Sequence, residues 1–341
     1  MNLSRRTLIQ TAAASAVVLG APALRAQTTP IRFILDWRFE GPAALFFYAA
    51  EKGLFREQGL DVSIDVGSGS AAGVQRMASG AYDMTHADFN TMVELNSSIA
   101  EPARRPVGFY VTYESHPATI FAMRSSNIRT PKDLEGRTLG APVFDGARKA
   151  FPLFAANNNL DTSKIKWTSM DPSLRETMLV RGEVDAISGF YFSGLISLIA
   201  RGAKEEDIVA MRFAEHNTPM YGNSAVTTQA FLDSKPEAVR GFAKALNASI
   251  KAVAANPEEG IAFVKKREPL INDALELRRL KLVIDNFVMT PTVRSTGLGG
   301  VDMDRLNKQA IDFARAMNIA PVEAARLFNP AFLPSASERR V

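Results

Sequence analysis

The chain contains no cysteine. That excludes disulfides, thiolate metal sites, cysteine nucleophiles and a lipid-anchored N-terminal cysteine. Histidine is scarce as well. His86, His116 and His216 stand far apart, and none falls in an H-x-x-x-H or H-E-x-x-H spacing, so zinc hydrolase chemistry has no scaffold here. No G-x-S-x-G elbow is present. The Glu205-Glu206-Asp207 acids form a charged turn of the solvated kind. No basic stripe runs along the chain, which argues against a nucleic-acid partner. Low-complexity tracts and short internal repeats are absent too. Only two tryptophans occur among 341 residues, so the place of each needs a reason.

The single extended apolar stretch lies at the N-terminus. Arg5 and Arg6 precede an Ala-rich run that ends near Gly20, and small residues follow through Ala26. A basic start, a short apolar centre and small residues at a cleavage point predict an export signal over 1–26. The paired arginines resemble the twin-arginine type. The run is too short for a comfortable membrane span, which takes about 20 residues. Cleavage fits after Ala23 or after Ala26, and Ala26 is preferred. A cut there removes Arg5, Arg6 and Arg25 and no acid, so 40 basic residues become 37 against 36 acidic ones. The sequence pI of 9.3 therefore owes part of its height to the signal. The mature chain is expected in the periplasm, as a soluble monomer.

Short apolar strands alternate with helical patterns from residue 31 to 212. Strands are predicted at 31–36, 61–66, 82–87, 106–113, 118–123, 137–141, 164–169, 184–189 and 207–212. Helices are predicted near 42–52, 71–79, 146–157, 173–181 and 191–200. This alternation predicts an α/β fold with parallel sheets covered by helices. Beyond about 230 the pattern turns nearly all helical. Val239, Phe242, Leu246, Ile250 and Val253 recur at three and four residues and mark one buried face. Two sheet-forming blocks followed by a helical return predict two lobes, 30–115 with 220–341 and 118–215. The crossings fall at 114–117 and 216–219, both ending in proline. Two crossings make a hinge, and two lobes on a hinge make a cleft.

Ligands of open α/β sheets bind beyond the carboxyl ends of the strands. Asp36 and Trp37 end the first strand, and Gly41-Pro42 then opens a helix whose free N–H groups face the same crevice. Trp37 either stacks on a ligand or plugs the end of the core. Ser68, Gly69 and Ser70 follow the second strand in a glycine-rich loop before a helix, where backbone can approach a ligand. Asp88, Phe89 and Asn90 end the third strand at the same level.

These segments carry a resemblance. "LDW" at 35–37, "AAEKGLFREQGLDVSID" at 49–65, "GSGS" at 67–70 and "QRMASGAYDMTHAD" at 75–88 resemble the solute-binding proteins of ABC importers in the NMT1/THI5-like branch. "VRGEVDAISGFYF" at 180–192 resembles the second-lobe segment of that family. Relatives include sulfonate-, nitrate- and thiamine-precursor-binding proteins. The resemblance spans nearly the whole mature chain. It implies a type II periplasmic-binding-protein fold, with a ligand trapped between the lobes and handed to the membrane subunits of a permease.

The second lobe departs from the family in two places. The loop Ala141–Arg148 is rich in Ser and Thr in many relatives and contacts an anionic group. Here it holds Phe144, Asp145 and Arg148 and no hydroxyl. Asp145 is placed to cap the following helix. Arg148 either points into the cleft or lies solvated on the helix. Pyrimidine-binding members often carry an acid shortly after the segment that here holds Phe190 and Tyr191, where this chain reads Ser193-Gly194-Leu195. With Trp37, Phe89 and Phe144, these rings favour a flat or partly aromatic organic ligand, one that can be anionic, over a bare inorganic ion. Asn223, past the second crossing, either touches the ligand or forms a turn.

The rival class is an enzyme. Yeast-type pyrimidine synthases share the fold that the resemblance implies, but they depend on a cysteine cluster, and this chain has no cysteine. Capture without chemistry, with neither metal nor cofactor, is the expected function.

Overall fold

A computed structural model describes residues 28–341, so the segment read as an export signal lies outside the described residues. Among the described residues ten strands form two five-stranded sheets. The first holds β1 (Thr29–Ile34), β2 (Leu60–Asp65), β3 (Met84–Asp88), β4 (Pro106–Val111) and β10 (Asn223–Thr228), in the order β2-β1-β3-β10-β4. The second holds β5 (Ala118–Met123), β6 (Thr138–Ala141), β7 (Lys166–Ser169), β8 (Ala186–Phe190) and β9 (Ile208–Arg212), in the order β7-β6-β8-β5-β9.

Burial follows position in the sheet. The inner strands β3 and β8 are buried at every residue. Both of their faces carry helices, so they read as continuous rather than alternating runs. The edge strand β2 alternates between buried and exposed positions. In β1, Ile31 and Phe33 point into the core while Arg32 lies outside and pairs with Asp83.

The parallel sheets expected from the alternation are in fact mixed. β10 runs antiparallel to β3 and β4, and β5 runs antiparallel to β8 and β9. Each is the strand that follows a crossing. Chain that enters a lobe beside the cleft can only run away from it, whereas the other inner strands run toward it. β10 was not anticipated, because Asn-Ser-Ala-Val-Thr-Thr has little apolar character. The Phe89–Ser98 helix was not anticipated either, although Asp88 caps it by accepting from the Asn90 and Thr91 N–H groups.

Two segments, 112–117 and 213–222, join the sheets and bond to each other. The His116 N–H donates to the Met220 carbonyl at 2.9 Å, and the Gly222 N–H donates to the Tyr113 carbonyl at 2.9 Å. Arg305, on the Met303–Met317 helix, pairs with Glu114 and lies over the Tyr221 ring. The long Pro236–Ala255 helix starts with proline in its first turn and buries the apolar face seen in the sequence. It packs on the first sheet and its helices. The Asp273–Val283 helix packs against both the Gly41–Ala43 turn and the Tyr191–Ala200 helix of the second sheet, so it touches both sides of the cleft. No helix among the described residues is long and apolar enough to cross a membrane.

Candidate functional site

The ends of β1, β3, β6 and β8 face one another and enclose a narrow cleft. The cavity left inside it is only about 30 Å³, and its mouth opens to solvent. Asp36, Trp37, Gly69, Ser70, Asp145 and Phe190 line it, together with Arg38, Glu40, Phe46, His86, Tyr113, Gly146, Arg175, Phe192 and Ser193. The first six are candidates read from the sequence.

Asp36 is anchored on both oxygens. Oδ1 lies 2.9 Å from His86 Nδ1, and Oδ2 accepts from Asn223 Nδ2 at 2.8 Å. Asn223 therefore acts on the cleft by fixing Asp36, as the first residue of β10. Trp37 is half-buried, and its indole joins neither apolar core cluster. The guanidinium of Arg175 lies 4.8 Å from its ring centroid, and that of Arg38 lies 5.6 Å away.

Gly69 adopts φ 134°, and a Cβ there would stand 2.2 Å from the Phe144 carbonyl oxygen of the other lobe. Only glycine permits both that backbone conformation and that approach. Ser70 N-terminally opens the Ser70–Ala78 helix, and Ser68 sits just outside the lining. Across the cleft, Asp145 caps the Gly146–Asn157 helix by accepting from the Arg148 N–H. Its carboxyl is also reached by Arg175 Nη1 at 3.2 Å and Ser188 Oγ at 3.3 Å. Burial raises the Asp145 carboxyl above its ordinary range, and Arg175 offsets only part of that.

The remaining candidates lie elsewhere. Phe89 is fully buried among Tyr221 and Phe328. Asn90 is buried between Met220 and Gln309. Asp88 is fully buried behind Gly146 and caps its helix. Phe144 is exposed at the mouth. Arg148 turns outward, donating to the Ala141 carbonyl at 2.9 Å and Ser169 Oγ at 3.1 Å and lying over Trp167. Tyr191 lies under Arg212 at the end of β9, and its N–H donates to the Pro117 carbonyl of the first crossing at 2.8 Å. The Gly41 N–H, read as facing the crevice, is taken by Glu276 Oε2 at 2.6 Å.

Two charged clusters had no counterpart in the sequence reading. Arg175 is 1% exposed and donates through Nε and Nη2 to Glu176 Oε1 at 2.9 and 2.6 Å. Burial alone would lower its guanidinium; Glu176 and Asp145 outweigh this and raise it. Glu40 accepts from Arg38 at 2.9 Å and Ser193 Oγ at 2.7 Å and is ion-paired with Arg279, whose Nη1 lies 3.1 Å away. Burial pushes its carboxyl up, but Arg279, Arg38 and Ser193 together hold it below its ordinary value. A helix of alternating charge such as 273–283 reads as a solvated face, so its inward Arg279 left no apolar signal. The 174–180 segment inverts the usual pattern, turning Leu174 and Val180 outward while burying Arg175 and Glu176, so Arg175 left no signal either.

Of the buried polar side-chain atoms that find no hydrogen-bond partner among the described residues, most gather here, while Asn96 Oδ1, Arg105 Nε and Arg339 Nε lie elsewhere. Trp37 Nε1, Arg38 Nε and Ser70 Oγ belong to lining residues, and Asp88 Oδ2, His116 Nε2, Glu176 Oε2 and Asn223 Oδ1 stand directly behind them. Orphaned buried groups are costly, so these atoms are hydrogen-bonding capacity that the cleft can offer to water or to a ligand. Asp36, His86 and Thr112 contain the residue types of an acyl-transfer triad, with His86 Nε2 2.6 Å from Thr112 Oγ1. Thr112 does not line the cleft, however, and its hydroxyl donates to the Asn223 carbonyl. Among the described residues no group of three or more His, Asp or Glu is arranged to hold a metal ion.

The family model described as NMT1/THI5 like matches residues 42–260. The riboflavin-binding protein RibY of Chloroflexus aurantiacus is 24% identical over 324 residues, which cover 93% of this chain and 88% of that protein. The formylaminopyrimidine-binding protein of Halalkalibacterium halodurans is 21% identical over 258 residues, 72% of this chain and 74% of its own. Among solved structures, the alkanesulfonate-binding protein SsuA of Xanthomonas axonopodis pv. citri, bound to MOPS, matches with a TM-score of 0.70 at 12% identity. That match covers 89% of this chain and 99% of the other, and it carries the fold alone. With two mixed α/β lobes about a cleft and a family match over more than half its length, this chain belongs to the NMT1/THI5-like family and has the substrate-binding-protein fold of ABC import systems.

Proposed function

We propose that this protein captures a small, flat heteroaromatic solute between its lobes outside the cytoplasm and delivers it to the membrane subunits of an ABC importer. Residues 30–115 with 220–341 form one closing body and 118–215 the other. It acts as a monomer and without chemistry on its ligand.

One observation carries the reading. The cleft walls are aromatic, its cations are already paired, and its orphaned polar atoms remain unpaired. Trp37, Phe46, Tyr113, Phe190 and Phe192 supply the rings. Arg38 is held by Glu40, and Arg175 by Asp145 and Glu176. A sulfonate or phosphate seated on Arg175 would have to break its buried pairs, which leaves an uncompensated charge at a cost of about 3–5 kcal/mol, and Arg38 offers it one unpartnered Nε. A neutral ring with a hydrogen-bonding edge gains area from the rings and partners from Trp37 Nε1 and Ser70 Oγ without disturbing any pair. Riboflavin and formylaminopyrimidine, the ligands in the names of the two relatives, are both flat heterocycles, which supports the same class.

A thermal-shift panel of riboflavin, substituted pyrimidines, aromatic carboxylates and alkanesulfonates tests this on purified protein. Selective binding raises apparent stability by about 2.7 kcal/mol at a hundredfold excess over Kd. The heterocycles should raise the melting temperature and the alkanesulfonates should not. A shift confined to alkanesulfonates contradicts the reading. Export is tested separately: Arg5→Lys with Arg6→Lys should leave precursor in the cytoplasm, and normal processing of that variant would count against a twin-arginine signal.

A further inference from the structure

We infer that the bound ring is clamped between the indole of Trp37 and the guanidinium of Arg175, which makes Arg175 a ligand-contacting residue that selects planar solutes. The inference rests on the cleft being a solute site. It adds which two groups hold the ring and why the ring must be flat.

Trp37 belongs to the lobe of the first sheet and Arg175 to the lobe of the second. Their side chains meet across the cleft, with Cζ 4.8 Å from the ring centroid. The Arg175 guanidinium is a fixed plate. Glu176 takes Nε and Nη2, and Asp145 takes Nη1. Gly189 leaves bare backbone beside it: a Cβ at that position would stand 2.8 Å from both Cζ and Nη1. Any other residue on β8 at this point would push the plate out of position.

The Trp37 plate is anchored through its backbone, whose carbonyl accepts from the Gly67 N–H at 3.0 Å. Its Nε1 has no partner among the described residues. The indole is half-buried, as a surface waiting for cover would be.

Two plates 4.8 Å apart leave no room for a ring. Van der Waals contact takes about 3.5–4.0 Å on each face, so a sandwiched ring needs about 7 Å. The plates stand on different lobes, so rotation about the crossings at 112–117 and 213–222 can open that gap. None of the hydrogen bonds and ion pairs that hold either plate crosses the cleft, so none of them has to break. A planar ring in the gap is stacked by the indole on one face and by the cation on the other. A tetrahedral head group or an aliphatic chain gains neither.

Trp167 meets Phe151 edge to face and lies under Arg148 away from the cleft, so Trp167→Phe leaves Trp37 as the only tryptophan in the sequence. In that background lumiflavin and 4-amino-2-methylpyrimidine serve as planar probes, read by calorimetry and by Trp37 emission. At least one should bind and quench the emission. Arg175→Lys keeps the charge but removes the plate, and should raise Kd at least tenfold. Gly189→Ala keeps every charge and displaces the plate, and should weaken binding in the same direction, with circular dichroism confirming folded protein. Folded Arg175→Lys or Gly189→Ala protein that binds the probes as tightly as the parent overturns the clamp alone. So does binding to the parent without quenching, which remains readable should both variants fail to fold. Failure of both probes to bind the parent overturns the solute reading, and the clamp falls with it.

Discussion

Arg279→Ala should be among the most damaging single changes away from the cleft lining. Arg279 is 4% exposed at its side chain and holds both lobes. Nε and Nη2 form a bidentate pair with Glu276 at 2.9 and 3.1 Å, while Nη1 reaches Glu40 at 3.1 Å and the Ser193 carbonyl at 2.8 Å. Burial would lower its guanidinium, but Glu40 and Glu276 raise it, so it is a cation at any accessible pH. Truncation leaves Glu276 with the Gly41 N–H and leaves Glu40 with Arg38 and Ser193. Removing one partner of a buried pair costs about 3–5 kcal/mol. Glu40 keeps one cation, so the middle of that range, about 4 kcal/mol, is expected. With a urea slope near 3 kcal/mol/M, the unfolding midpoint should fall by more than about 1 M. Arg279→Met combined with Glu276→Leu should recover much of the loss, because an apolar replacement for a whole buried pair is often neutral. Urea titration followed by circular dichroism reads both variants. An Arg279→Ala midpoint within about 0.3 M of the parent, less than 1 kcal/mol on that slope, refutes the reasoning.

Gly69→Ala should hold the lobes apart, since its Cβ would meet the Phe144 carbonyl oxygen at 2.2 Å. Ligand affinity should drop by about tenfold or more, and the scattering radius should no longer shrink at saturating ligand; normal closure of this variant counts against the contact. Glu40 gives a pH signature. Its carboxyl sits below the ordinary 4.5, so its stabilisation is complete above 4.5 and is lost as pH falls through the lowered value. Melting temperature should therefore decline less steeply below pH 4.5 in Glu40→Gln than in the parent, and equal slopes would contradict the assignment. Asp145 has the opposite sign. Its carboxyl is raised above 3.8, so its ionisation costs stability as pH rises through the raised value, and Asp145→Asn should lessen that cost.

The path from sequence to fold was clear where packing obeys simple periodicity. Ile31 and Phe33 around Arg32, and the three-and-four spacing from Val239 to Val253, report their burial directly. β10 escaped because a central strand covered on both faces needs no apolar excess when Ser224 and Thr227 bond to the backbone of neighbouring strands. In the cleft, Trp37 and Gly69 were legible from a strand end and a glycine-rich turn, which are local features. Arg175 and Glu40 were not. A charged residue reads as solvated until its partner is known, and the partners Asp145 and Arg279 lie 30 and 239 residues away in the chain. Arg148 shows the converse: its place one turn into the Gly146–Asn157 helix was legible, but whether it faced the cleft or Trp167 depended on β7, which lies beyond the loop that was read.

Trp37→Ala tests the central claim most directly, with titration calorimetry of a ligand chosen by the thermal-shift panel and urea denaturation of the same variant. The indole lies outside both core clusters, so its loss should cost less than about 1 kcal/mol of stability, far from the about 3–5 kcal/mol of a buried aromatic. The stacked face is worth about 0.5–1.5 kcal/mol and the covered apolar area adds to it, so Kd should rise at least tenfold, or about 1.4 kcal/mol. An unfolding midpoint near that of the parent with binding at least tenfold weaker is the predicted result. A clearly destabilised protein that binds its ligand with unchanged intrinsic affinity would contradict the account, because Trp37 would then close the core rather than the ligand.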